Sequence, residues 1–148
     1  MSRPPHLVTP AEASAWLAGS AVKTVTVHRT DPEAAQDIVE HGVDITRATP
    51  DSAWGQGFYS CTISDPAYGT AEVMVAIRLQ RPLVIQDSIR DAAILEDLTT
   101  RAGTDDFREA VLAAGFDGVM VHFGGNRWWV VAYHGEQVKV VLPDEDDA

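Results

Sequence analysis

Val25-Thr26-Val27-His28-Arg29-Thr30 carries an alternating apolar run into a histidine, an arginine and a hydroxyl. An imidazole at the end of an apolar strand can offer one ring nitrogen to a ligand hydroxyl while the backbone orients the other. Standing alone, His28 would read as a structural or surface histidine. Asp31-Pro32 opens a helix directly afterwards, however, so His28-Arg29-Thr30 lies at a strand-to-helix mouth, a common place for ligands. In Gly55-Gln56-Gly57-Phe58-Tyr59-Ser60 the glycines permit close backbone approach and unusual dihedrals before an aromatic strand. In isolation this is a glycine turn before a buried aromatic. Together with Tyr68, after Ser64-Asp65-Pro66, Tyr59 offers two aromatic faces. Each could contribute roughly 0.5 to 2 kcal/mol against a flat cationic ring. A third segment is Asn126-Arg127-Trp128-Trp129-Val130-Val131. Its tryptophans point to opposite faces of a strand, so one packs in the core while the other either packs as well or walls a cavity. Arg127 shares the Trp129 face and suits a phosphate or substrate anion better than the role of a base.

Other chemistries find less support. The five histidines, His6, His28, His41, His122 and His134, show no i, i+4 spacing and have no cysteine cluster beside them, which argues against zinc. Cys61 is the sole cysteine, so there is no disulfide framework, and a small buried hydrophobe is its simplest role. Ser60 could pair with His28 in a hydrolase, but no nucleophile elbow surrounds it. Gly124-Gly125-Asn126 reads as a hairpin turn rather than a phosphate loop. The formal net charge of -11 disfavours coating of DNA or RNA. It leaves room for a nucleotide, because backbone donors and one or two cations suffice to hold one.

The elements that must position these residues form one domain over 1–143, followed by an acidic, disordered tail over 144–148. Thr9-Pro10-Ala11-Glu12 starts a helix with a capping box, ending at Gly19. Residues 21–29 alternate as a strand, and Asp31 caps a helix that closes at Gly42. The stretch 43–54 reads as loop, 58–63 as strand, Asp65-Pro66-Ala67-Tyr68 as a helical turn and 73–79 as strand. Pro82 then precedes a short extended piece, 83–85. Residues 88–114 carry helical spacing in two pieces parted near Gly103, the second ending at Gly115. Strands 119–122, 127–133 and 137–142 close the chain. The expected product is an α+β domain with mostly antiparallel sheets and flanking helices.

The first two segments resemble the opening motifs of ADP-ribosyltransferases of the His-Tyr-Glu class, in which a strand ends in His-x-Thr or His-x-Ser and a Gly-x-Gly-x-Tyr segment follows. Gly115-Phe116-Asp117-Gly118-Val119 and Glu136-Gln137-Val138-Lys139 resemble later segments of small bacterial members, so the likeness spans 24–141. It implies the fold of that family, with split antiparallel sheets, and NAD as substrate. It also implies that His28 binds the adenosine-side ribose, that the Arg29 backbone grips the nicotinamide carboxamide, and that Thr30 supports the pocket. Gly57 and Phe58 then lead into Tyr59, which stacks on nicotinamide, with Tyr68 as a second stacking residue. Asp117 resembles a residue that holds a strand start. The family's catalytic glutamate should fall near Trp129, where this chain has no carboxylate. Trp129 would therefore occupy the catalytic position, with Arg127 near the NAD.

The implied activity is transfer of ADP-ribose from NAD to a macromolecule or to water, in a toxin, effector or phage-defence setting. The alternatives are an inactive module of the same fold that binds a nucleotide or a protein partner, and a glutamate-independent relative such as an NAD glycohydrolase or an RNA 2'-phosphotransferase. The latter's basic substrate surface conflicts with the charge. The chain shows no apolar run of a secretion signal and no stretch of eighteen apolar residues. The expected setting is cytoplasmic, or that of an effector exported without a cleavable signal.

Overall fold

The computed structural model describes residues 4–48, 54–86, 91 and 93–142. Local signals act as the sequence requires at the helix starts. The Thr9 hydroxyl accepts from the Glu12 amide and the Glu12 carboxylate returns to the Thr9 amide, starting α1 (Pro10–Leu17). Asp31 accepts from the Ala34 amide to start α2 (Pro32–His41), and Gly42 ends it at φ 84. Helices α3 (Ala93–Ala102) and α4 (Phe107–Ala113) follow. The part of the 88–114 reading that covers 88–90 and 92 lies outside the described residues, as do the loop residues 49–53 and the acidic tail 144–148.

Strands β1 (Leu7–Val8), β2 (Thr26–Thr30), β3 (Phe58–Cys61), β4 (Ala71–Ile77), β5 (Pro82–Ile85), β6 (Gly118–His122), β7 (Trp128–Ala132) and β8 (Val138–Val141) join in the order β1-β8-β4-β2-β3-β7-β6-β5. Five of the pairings are antiparallel; β1–β8 and β5–β6 are parallel. The expectation of split sheets is corrected in one respect: the strands form a single eight-stranded sheet. Its two halves meet at a narrow waist, where, among the described residues, β2 joins β3 through Val27↔Cys61 alone.

Several boundaries move for identifiable reasons. The strand expected from residue 21 begins at Thr26, because the buried Ser20 hydroxyl binds the Val22 and Leu79 amides and holds that stretch in a turn. The same contact ends β4 at Ile77 rather than Leu79. Within the expected loop, Asp44 caps a 3-10 turn, Ile45–Arg47. A second such turn, Gly135–Gln137, takes the start of the last expected strand. The parallel strand β1 was not foreseen, being only two residues long.

Alternation along the strands sends two sets of side chains to opposite faces. Val73, Val75 and Ile77 meet Ala35 and Ile38 of α2, in a cluster that continues through Phe58, Val130 and Ala132. On the other face α1 sets Ala13 and Leu17 on Ala76. There too, α3 and α4 cover Ile85, Val119, Val121 and Val131, with Tyr59 and Trp129 packed at the margin. Burying each large aliphatic side chain of this kind contributes about 1.5 to 3 kcal/mol.

Gly69 ties the Pro66–Tyr68 turn to β2. At φ +144, a Cβ there would lie 2.5 Å from the Thr30 carbonyl oxygen and 2.7 Å from its Cα, while the Gly69 carbonyl accepts from Arg29 Nε at 2.9 Å. Neither neighbour can retreat, since both belong to a strand backbone. Gly69→Ala is therefore expected to lower unfolding free energy by about 2 kcal/mol or more, measured by urea titration against wild type.

Candidate functional site

From His28 onward β2 keeps its ladder with β4 but has none with β3 among the described residues. The His28 side chain crosses this opening. Its Nδ1 lies 2.6 Å from the Tyr59 carbonyl oxygen. A carbonyl only accepts, so Nδ1 carries the proton and Nε2 the lone pair of the neutral ring. The imidazole stacks on Phe58 with centroids 4.2 Å apart. Burial pushes its pKa below 6.5, partly opposed by the hydrogen bond to Tyr59. Near pH 7 His28 is thus a neutral acceptor at Nε2. Just beneath it, the buried Thr26 and Ser60 hydroxyls meet at 2.7 Å across the waist, satisfying two polar groups that burial would otherwise penalise.

Because His28 stands in the opening, it lines a cavity on each face. On the α3/α4 face is a slot of about 130 Å³ lined by His28, Arg29, Tyr59, Asp65, Tyr68 and Trp129, with Val27, Cys61 and Ile63 as its apolar floor. Tyr59 is fixed there: its hydroxyl accepts from the Trp54 amide and donates to the Gly55 carbonyl, both at 2.8 Å. Tyr68 is 57% exposed, and its ring meets Trp129 edge-on at 5.0 Å. The slot thus has a hydrogen-bonded aromatic, Tyr59, and an edge-to-face pair, Tyr68 and Trp129. Arg29 turns its guanidinium into structure, donating to Gly69 O and to Ser64 Oγ and pairing with Glu72 at 3.3 Å. The Ser64 hydroxyl and Arg29 hold the exposed Glu72 carboxyl below its usual value. Asp65 Oδ1 accepts from the Ala67 amide at 2.9 Å, and its Oδ2 lies 3.6 Å from Arg127 Nη1.

The cavity on the α2 face is larger, about 690 Å³, and is lined by His28, Thr30, Gly57 and Phe58 together with Asp37, His41, Asp44 and Arg47. Gly57 is required there by packing. A Cβ at that position would lie 2.8 Å from Val131 Cγ1 and 2.9 Å from the Ala132 carbonyl oxygen.

The residues singled out in the sequence therefore divide. His28, Arg29, Tyr59, Tyr68 and Trp129 converge on the slot. Thr30, Gly57 and Phe58 face the second cavity. Arg127 stands beside Asp65 through its ion pair. Trp128 turns the other way, stacking on His122 at 4.7 Å. The sequence marks the acid at the slot, Asp65, only as the start of a turn. Its place at the slot follows from the fold, which brings the β3–β4 connection against β7 through Tyr68–Trp129 and Asp65–Arg127. The C-terminal segments act as struts. Asp117 accepts from the Gln80 and Arg81 amides at 2.7 and 3.0 Å. Gln137 accepts from the Tyr133 and His134 amides and donates to Asp117 O. Among the described residues, no three His, Cys, Asp or Glu side chains gather as a metal ion would need, and no helix is long and apolar enough to cross a membrane. No family model and no curated protein matches this chain.

The depressed His28 pKa fixes the sign of a pH dependence. In the unfolded chain the ring takes its proton near 6.5; in the folded chain it does so only at lower pH. The unfolded state then binds more protons in that window, so the His28 contribution is complete above about 6.5 and is lost as pH falls towards the folded value. Urea titrations at about pH 7.5 and about pH 5 should show the stability gap between wild type and His28→Gln narrowing at the acid end. A gap that widens there would contradict the assignment of a neutral ring.

Proposed function

We propose that this chain is an NAD-binding protein of the ADP-ribosyltransferase type, which passes ADP-ribose from NAD to a macromolecular acceptor or to water. The observation that supports this reading is the convergence of His28, Arg29, Tyr59, Tyr68 and Trp129 on one slot at the waist of the sheet. Nicotinamide enters the slot between the tyrosines and Trp129, where a flat cationic ring gains from aromatic contact. The Arg29 backbone takes its carboxamide, since the guanidinium is already committed to Gly69, Ser64 and Glu72. His28 Nε2 accepts from a ribose hydroxyl. The adenosine side then extends past His28 into the larger cavity, beside Thr30, Gly57 and Phe58.

A second reading, binding without turnover, is favoured by one feature: β7 presents Trp129 to the slot rather than a carboxylate. Removing one well-placed electrostatic contact with the transition state typically costs about 3 to 4 kcal/mol, enough to turn an enzyme into a binding module.

Incubation with NAD separates the two. Binding is measured by equilibrium titration, and turnover by nicotinamide release. Tyr68→Ala, at an exposed rim position, is expected to weaken NAD binding roughly two- to thirtyfold, the equivalent of about 0.5 to 2 kcal/mol. His28→Ala is expected to abolish release. Binding with no release in wild type would favour the module, and no binding at all would remove both readings.

A further inference from the structure

Where the resemblance expects a glutamate on β7, the chain has Arg127, Trp128 and Trp129. The slot nevertheless has an acid. Asp65 is its one carboxylate among the described lining residues, and it comes from the β3–β4 connection rather than from β7. Two contacts position it. Oδ1 accepts from the Ala67 amide at 2.9 Å, which anchors the carboxyl to its own turn. Oδ2 lies 3.6 Å from Arg127 Nη1, too far for a hydrogen bond yet close enough for Coulombic attraction. The Asp65 side chain is 28% exposed and that of Arg127 is 40% exposed, so the pair stands at the slot's rim. The arginine just before β7 thus stands beside an acid from the β3–β4 connection.

We propose that Asp65 supplies the carboxylate that supports cleavage of the nicotinamide–ribose bond in this slot, with Arg127 holding it in place. The proposal rests on the NAD reading given above. The C1'–nitrogen bond breaks heterolytically, and its electron pair goes to the pyridinium nitrogen, which leaves as neutral nicotinamide. Positive charge develops on the ribose C1' and ring oxygen, where a fixed anion lowers its energy. Water then attacks C1' through oxygen and loses its proton to solvent, giving ADP-ribose; an acceptor hydroxyl would follow the same course. No second acid is needed, since the leaving group departs without protonation.

Asp65→Asn keeps an oxygen acceptor for the Ala67 amide and removes only the charge. In the full chain with NAD, this variant is expected to lose roughly a hundredfold or more in kcat. Its affinity for carba-NAD, which cannot be cleaved, should stay within about threefold of wild type, and Asp65→Glu should recover part of the rate. Asp65→Ser keeps a hydroxyl acceptor within reach of the turn and repeats the test if the Asn variant does not fold. Equal turnover in wild type and Asp65→Asn would overturn the assignment while leaving NAD as substrate. Loss of carba-NAD affinity in parallel with rate would also overturn it, by making Asp65 a binding residue. NAD bound by wild type but never cleaved would remove the catalytic role and leave the binding module. Failure of carba-NAD to bind wild type at all would remove the NAD reading and this inference with it.

Discussion

The hydrogen bond from His28 Nδ1 to the Tyr59 carbonyl is the contact on which the rest of the site depends. It lies where the β2–β3 ladder, after its single pair Val27↔Cys61, gives way to an opening. An imidazole there does two things that an aliphatic side chain could not. It gives the Tyr59 carbonyl a donor in place of a strand amide, meeting the demand that partly buried backbone groups be paired. It also fixes which ring nitrogen is left to accept, and so turns a gap in the sheet into a directional group open to both faces. The stacking of Phe58 on the ring and the hydroxyl pair Thr26–Ser60 just behind it hold that geometry from the core side.

Around this contact the two faces differ in character. The slot beside Tyr59, Tyr68 and Trp129 is narrow and aromatic; the cavity under α2 is wider and carries carboxylates, two imidazoles and a guanidinium. Strand alternation is one source of this difference, and α2 with the turn after it supplies the charged groups. Phe58 and Ser60 point to one side of β3 and Tyr59 and Cys61 to the other, so consecutive residues of one short motif serve two chambers. The guanidinium of Arg29, which by position could have entered the slot, is drawn off by Gly69 O, Ser64 and Glu72. The basic side chain nearest the slot's acid comes instead from Arg127.

Much of this was legible from local signals, and what was not legible is long-range. Thr9, Asp31 and Gly42 fix helix ends through contacts within four residues, so their pattern can be read directly. The apolar alternation of β4 and β6 declares strands in the same way. The convergence of His28, Tyr59, Tyr68 and Trp129 was legible only through resemblance, since no spacing rule brings residue 129 to residue 68. What escaped was set by single side chains acting at a distance: Ser20 shortening two strands, Gly135–Gln137 turning before β8, and β1 docking in parallel on β8 with two residues. Asp65 was hidden for a related reason. Its cap bond to Ala67 accounts fully for an aspartate before a proline, and only the passage of the β3–β4 connection beside β7 brings it to the slot and to Arg127.

The narrow waist of the sheet has a mechanical meaning as well. Two four-stranded halves that share a single ladder pair have their fewest backbone bonds along the line where both cavities open. Shear or opening between the halves is resisted there mainly by His28, the Thr26–Ser60 pair and side-chain packing, and local opening tends to begin where such bonds are sparse. A molecule reaching from the slot past His28 into the larger cavity would add contacts to both halves at once. It would act as a rivet across the seam, so that occupancy and stiffness of the sheet rise together.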